Sequence, residues 1–518
     1  MEKFLYDRPQ KKEPKLNIWF MYPAIESFAM ASLGYLSIFK MLDCDLDLYV
    51  ERIYSDSKYA EIPVDCVDFA GFSFSFEIDI LTIIKMLKKY EIPVKSSERN
   101  ENHPIIFAGG PVLMANPMPF QDFFDFISIG EKISLKKALD LMKENTNLTR
   151  EEKLKLLSEI EGIYVPKYPK KEVKIIRDDM AQEVVYTPIL SEKSYFKDSF
   201  VIELERGCPK MCNFCLASWL NLPTRFVPFE KIKDAIDFGL KYTDKLALLG
   251  AYVAGHPDFD KIINHISTYC ETRPIELSIS SLRADLTDEN LVKTLVKCNQ
   301  KTATIALEAG SQRLRNLIKK DLNEEQILNT LKIAQLNGLK GMKIYTMIGL
   351  PTETDEDIEE LIEIVKKMKS QIKKLKSNFE ITISTSTFIP KAHTPFENEQ
   401  RIDKKTLEKR INYLKKSFHK IGISFRPSSI EWDMIQSILS RYDNSLCDFL
   451  IEVVERGGNL GAFKQLWREY HKNGLLPSFD CACELPFDIN NPKWNFINTG
   501  AENAKLNAQK NIRKTSQK

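Results

Sequence analysis

The stretch RGCPKMCNFC places three cysteines, Cys208, Cys212 and Cys215, within eight residues. Ten cysteines scattered over 518 residues give this spacing by chance only about 0.004 times. The three thiols therefore act as a group, and thiolates on one short loop bind soft metals. Structural zinc closes its tetrahedron with a fourth thiolate or an imidazole. None of the six histidines lies within 40 residues of Cys212. Three ligands without a fourth leave a position open, which fits an iron–sulfur cluster with one iron available to a substrate or cofactor.

Such a loop needs a rigid frame. Strand-like runs recur at 200–205 (FVIELE), 245–251, 275–281, 302–308, 341–348 and 379–388, with helical segments between them. In NEEQILNTLKIAQLNG, Asn323 and Gln326 form a capping box and Gly338 ends the helix. Strand followed by helix, repeated, builds a parallel sheet. Six units predict a partial (β/α)6 TIM-like barrel, in which chemistry sits at the carboxyl ends of the strands. The cysteines follow the first of these strands directly. An earlier block of strands at 17–23, 46–54, 67–75, 104–110 and 124–131 predicts a Rossmann-like open parallel sheet. There Gly109, Gly110 and Gly130 stand at strand carboxyl ends, where open α/β sheets bind ligands; tight turns that bind nothing also use glycine.

The expected fold class is thus α/β: an open sheet over 1–145, a connector over 146–195, the barrel over 196–420 and a mostly helical accessory region over 421–518. A hydrophobic fraction of 43%, a charged fraction of 28% and a net charge of +2 describe an ordinary globular protein and do not indicate nucleic acid. The basic end KNIRKTSQK reads as a disordered tail. No apolar run reaches the ~18 residues needed to span a membrane, and the N-terminus has no apolar leader, so the expected location is the cytoplasm. Cys44, Cys66, Cys270 and Cys298 read as isolated core residues. Cys447, Cys481 and Cys483 stay open between a second cluster, a reactive thiol and packing.

CPKMCNFC after a first barrel strand resembles the cluster loop of the radical S-adenosylmethionine (SAM) enzymes. The resemblance implies that Cys208, Cys212 and Cys215 hold a 4Fe-4S cluster whose fourth iron is chelated by the amino-acid end of SAM, and that reductive cleavage yields a 5′-deoxyadenosyl radical. It implies that Phe214 packs near the adenine, that Glu308 in ALEAGSQRLRNLIKK faces the ribose, and that backbone around Ile348 and Gly349 in TMIGLPTETDEDI supports the adenine. SSLRADLTDENL and STFIPKAHTPFE also resemble family segments. One stretch departs: where the family often has a Gly-Gly-Glu-like segment gripping the cofactor's amine, this chain reads LLGAYVAGHPDFD.

The first block resembles the cobalamin-binding-type domain that precedes the radical core in one subclass. That likeness implies a corrinoid along Gly109, Gly110 and Gly130, and methyl transfer as the reaction. The histidine that ligates cobalt in many such domains is absent, since none of the six has Asp two residues before it. The alternatives are cobalamin-independent radical chemistry (methylthiolation, rearrangement or ring formation) and a non-enzymatic iron–sulfur redox protein. Implied partners are a small-molecule or peptide substrate and a flavodoxin- or ferredoxin-type electron donor; no catalytic residue is assigned.

Overall fold

The computed structural model describes residues 2–375 and 378–516. They divide into two compact units: 1–179 with 187–198 and 435–502, and 180–186 with 199–434 and 503–518.

The first unit is built on a six-stranded sheet in the order Leu48–Tyr54, Leu16–Tyr22, Phe69–Ser73, Ile105–Gly109, Phe126–Ser128, Ile163–Tyr164. The first five strands are parallel, and only the last runs antiparallel. Ile105, Ile106, Phe107 and Ala108 are all buried, as expected of a strand covered by helices on both faces. The helix Ile80–Lys89 turns Ile80, Ile83, Ile84 and Leu87 inward, the three-and-four spacing of an amphipathic helix. Asp125 is fully enclosed between Arg99 and Arg150, at 2.9 and 2.6 Å, and accepts from the Ile106 amide at 2.7 Å. That cluster fixes the amino ends of two strands.

The stretch read as a connector is structured in part. Thr149 and Glu152 cap the helix Arg150–Glu159 reciprocally, Ile163–Tyr164 becomes the sheet's edge strand, and Ile189–Ser191 pairs with Glu2–Phe4.

The second unit carries parallel strands at Phe200–Glu203, Lys245–Leu249 and Glu276–Ile279, then at Thr302–Glu308, Gly341–Ile348, Glu380–Thr387 and Ser424–Pro427. A bridge from Leu282 to Ile305 joins the two groups. All six predicted barrel strands are present, with Ser424–Pro427 as a seventh whose short, exposed sequence SFRP carries no strand signal. Asn323 and Gln326 form the predicted capping box, at 2.8 and 3.0 Å, and Gly338 has φ +98°.

Burial alternates along these strands. Phe200, Ile202, Ile305, Leu307, Ile344 and Ile383 are buried, and Phe200 lies where a Cβ on helical Gly239 would fall, 2.3 Å away, so this set faces the helices. The intervening Glu203, Thr304, Glu308, Lys343, Tyr345 and Ser384 therefore face the lumen. The basic tail is not disordered over its described part: it is the helix Glu502–Ser516, which contributes Ile512 to an apolar cluster with Leu317 and Phe396.

Cys270 and Cys298 are not isolated, as the sequence suggested; they follow two helices and are disulfide-bonded to each other. Cys44 and Cys66 are exposed rather than core residues, each lying in a connection beyond the periodic segments.

Candidate functional site

The cysteine loop leaves the first barrel strand and is tied at its base by an antiparallel pair, Glu205 with Phe226 and Arg206 with Arg225. Gly207 makes the turn. Its φ is +85°, and a Cβ would fall 2.5 Å from the Asn221 carbonyl oxygen, so no larger residue fits. Beyond it the loop is fastened by backbone and side chain: Trp219 Nε1 donates to the Cys212 carbonyl at 3.0 Å, and the Asn213 side-chain Nδ2 donates to the Leu317 carbonyl at 2.7 Å. Cys208 and Cys212 are buried and Cys215 is half-buried.

Burial pushes the Cys208 thiol up and the Cys212 thiol up to about 12. The neighbouring Cys215 adds to the rise of both. Arg283 pulls both of these down, and Lys320 pulls Cys212 down. A thiol must lose its proton to ligate iron, so two cations beside the loop favour the ligating form. Three clustered cysteines with adjacent cations are a donor set suited to a 4Fe-4S cluster. Among the described residues, no three His, Cys, Asp or Glu side chains converge on a point fit for a single metal ion.

Arg283 is held by Asp285 through two hydrogen bonds, at 2.9 and 3.1 Å, and donates to the Lys320 carbonyl at 3.1 Å. Lys320 reaches Glu308 Oε1 at 3.1 Å, with both side chains largely buried. Glu308 ends the fourth barrel strand with φ +66°, at a slip in register against the next strand. A non-glycine residue there costs about 1 kcal/mol or more, and such strain concentrates at functional sites. Glu308, Lys320, Arg283 and the thiols thus share one end of the barrel.

Phe214 packs with Met347 against the cluster of Ala309, Leu350 and Phe388, an apolar wall beside the cysteine loop. Ile348 and Gly349 lie at the end of the fifth barrel strand. Two of their backbone groups have partners within the chain: the Ile348 carbonyl accepts from the Phe388 amide at 2.8 Å, and the Gly349 amide donates to Glu353 at 2.7 Å.

Gly109, Gly110 and Gly130 lie at carboxyl ends of the N-terminal sheet, and two of them meet the chain's own backbone. A Cβ on Gly110 (φ +133°) would fall 2.3 Å from the Phe74 carbonyl oxygen, and one on Gly130 (φ +144°) 2.5 Å from that of Ile176. A Cβ on Gly109 would make only ordinary contacts with Ser128. The same edge carries residues 435–442. Buried Glu77, after the third strand of the order, accepts from Gln436 at 2.8 Å and from Ser440 at 2.9 Å. Buried Asn116, after the fourth, donates to the carbonyls of Ser440 and Tyr442 at 3.2 and 3.0 Å. Burial, with the nearby charges of Asp122 and Asp448, pushes the Cys447 thiol up to about 12.

Sequence reasoning missed Glu205, Arg283 and Lys320. The last two lie in SSLRADL and NLIKK, segments noted for their likeness without roles. Glu205 carried a visible signal: an acid three residues before the first cysteine, just after the first barrel strand.

Comparison with known proteins bears on both units. Residues 202–365 match the model of the radical SAM superfamily, and residues 34–166 match that of the N-terminal region of radical SAM proteins. An uncharacterised protein of Methanocaldococcus jannaschii is 35% identical over 383 residues, 73% of this chain and 78% of the relative. The threonylcarbamoyladenosine tRNA methylthiotransferase of Aquifex aeolicus is 22% identical, over 72% of this chain and 84% of its own length. Among solved structures, the cobalamin-dependent SAM radical enzyme OxsB, with aqua-cobalamin and SAM bound, aligns with a TM-score of 0.50 at 13% identity. The alignment covers 89% of this chain and 71% of OxsB, a likeness of fold. No described helix is long and apolar enough to cross a membrane. With a three-cysteine loop at the mouth of a parallel partial barrel and both halves matched, the chain belongs to the radical SAM superfamily of enzymes.

Proposed function

We propose that Cys208, Cys212 and Cys215 hold a 4Fe-4S cluster, and that the protein cleaves SAM reductively to act on a polar substrate in the barrel without a corrinoid. The observation that carries the reading is the grouping of the three-cysteine loop with Lys320, which reaches Glu308 at 3.1 Å, and Arg283, which donates to the Lys320 carbonyl, at one end of the barrel. When bound, the cluster supplies one electron to the SAM sulfonium. The chain's own residues then do the positioning. Lys320 and Arg283 favour the thiolates and offset their charge. Phe214 and Met347 offer an apolar face to the adenine. Glu308, set by its strained backbone and held by Lys320, accepts from ribose hydroxyls. Lumenal Glu203, Lys343, Tyr345 and Ser384 form a polar chamber for a charged small molecule or peptide, and a flavodoxin- or ferredoxin-type protein delivers the electron.

Reaction without a corrinoid is supported by the occupancy of the N-terminal sheet's carboxyl edge by Phe74, Ile176 and residues 435–442. Methylthio transfer is the named activity of one relative, and it suits this reading. The fold likeness to OxsB favours a second reading, corrinoid-dependent methyl transfer. Anaerobic protein reconstituted with iron and sulfide, then given dithionite and SAM, is expected to release 5′-deoxyadenosine slowly even without substrate. A fully loaded, reduced cluster that releases none, with or without candidate substrates, turns the reading to an electron carrier.

A further inference from the structure

Glu205 is 2% exposed, yet none of the described residues donates to its Oε2. Its Oε1 accepts from the Tyr252 amide at 2.6 Å. The neighbouring acid, Glu203, is neutralised by Arg206 through two contacts of 2.8 Å. Glu205 has no such cation among the described residues. A buried carboxylate with an unsatisfied oxygen is costly unless a donor or a cation reaches it.

Its position says which cation. Glu205 follows the first barrel strand and precedes Cys208 by three residues, so it stands at the root of the cysteine loop. It leans over Gly250, at the end of the second barrel strand, so closely that a Cβ there would fall 1.9 Å from Oε1. The missing side chain at Gly250 is the space the carboxylate occupies.

Resting on the reading that the chain binds SAM at this loop, we propose that Glu205 receives the α-ammonium of SAM, a charge for which LLGAYVAG offers no acidic side chain. The ammonium supplies both the donor and the positive charge that Oε2 lacks. A hydrogen bond between charged groups in such a setting changes affinity by about 10- to 100-fold.

The test uses the full chain, reconstituted anaerobically with iron and sulfide. Dissociation constants are measured for SAM and for its des-amino analogue, the adenosyl sulfonium bearing a 3-carboxypropyl group. Glu205→Gln is expected to weaken SAM about 10- to 100-fold, to leave the analogue within about twofold, and to keep iron, sulfide and the cluster absorption at wild-type levels. Gly250→Ala, whose methyl group displaces the carboxylate, is expected to do the same without touching Glu205. The inference is overturned if both ligands weaken equally, if neither does, or if the variants lose iron. Wild-type protein with a full cluster that binds neither ligand overturns the SAM reading itself, and this inference with it.

Discussion

Glu77 and Glu205 are both buried glutamates at the carboxyl edge of a parallel sheet, one in each unit. Each oxygen of Glu77 accepts a hydrogen bond from residues 436–440 of its own unit. Glu205 has one oxygen satisfied by a backbone amide and one to which none of the described residues donates. At the first edge Gly110 and Gly130 make room for the chain's own carbonyls; at the second, Gly250 makes room for the Glu205 carboxylate at the root of the cysteine loop. Open α/β sheets bind ligands at this edge, and so do barrels. The difference teaches that the rule names a location and not an occupant: one edge brings its glutamate oxygens hydrogen bonds from the chain itself, and the other sets a buried glutamate at the root of the cysteine loop.

The largest expected effect comes from removing the barrel edge's ligands. Cys208→Ala, Cys212→Ala and Cys215→Ala together are expected to abolish bound iron, sulfide and 5′-deoxyadenosine release. The thermal midpoint of the cluster-free protein should move by only a few degrees, because the three sit on a loop and not in the core. Zinc in tetrahedral sulfur coordination in the wild-type protein, read by X-ray absorption, breaks this side of the comparison.

The next effect concerns the filled edge. Incubated with excess hydroxocobalamin and desalted, the wild-type protein is expected to keep no corrinoid absorption. Stoichiometric retention would show that residues 435–442 give way to the ligand, and the two edges would then be alike. Gly110→Ala sharpens the point. It forces a side chain into φ +133° and 2.3 Å from the Phe74 carbonyl oxygen, at a cost of about 1–3 kcal/mol or more. The midpoint should fall by several degrees while iron per chain stays constant, and thermal unfolding followed alongside iron analysis reads both. Asn116→Ala, which strands the carbonyls of Ser440 and Tyr442, is expected to destabilise by about 1–3 kcal/mol, again without change in iron.

What the sequence disclosed follows from how local each signal is. The six barrel strands, the Asn323 capping box and the cysteine loop are written in short periods and fixed spacings, and the structure has each of them. The seventh strand, SFRP, lies after a long helix and is largely exposed, so neither alternation nor a buried run marks it. The pairing of Cys270 with Cys298 depends on two helix ends meeting, which no spacing reveals. Gly110 and Gly130 report close approach without reporting what approaches, and the structure brings the carbonyls of Phe74 and Ile176 there. Glu205 showed its acidity in the sequence but not its isolation, since that depends on what Tyr252 and Gly250 do across the neighbouring strand.

The smallest expected effect is a pH dependence that tests whether Glu205 is as isolated as Glu77 is satisfied. Burial, aided by the nearby charge of Glu203, holds the Glu205 carboxyl up to about 8 in the folded protein, against about 4.3 in an unfolded chain. The folded state therefore favours the protonated form. This contribution to stability is full below about pH 4 and is lost as the pH rises through the folded value near 8. The amide introduced by Glu205→Gln carries no titrating proton and removes that slope. In the cofactor-free protein the variant's midpoint should rise relative to wild type by a few degrees between pH 5 and pH 8.5. Titrating groups that do not interact with Glu205 cancel in the difference between the two curves. A difference that stays flat from pH 5 to 8.5 would mean that water or an unseen donor already satisfies the carboxylate, and the contrast between the two edges would shrink to one of thiols alone.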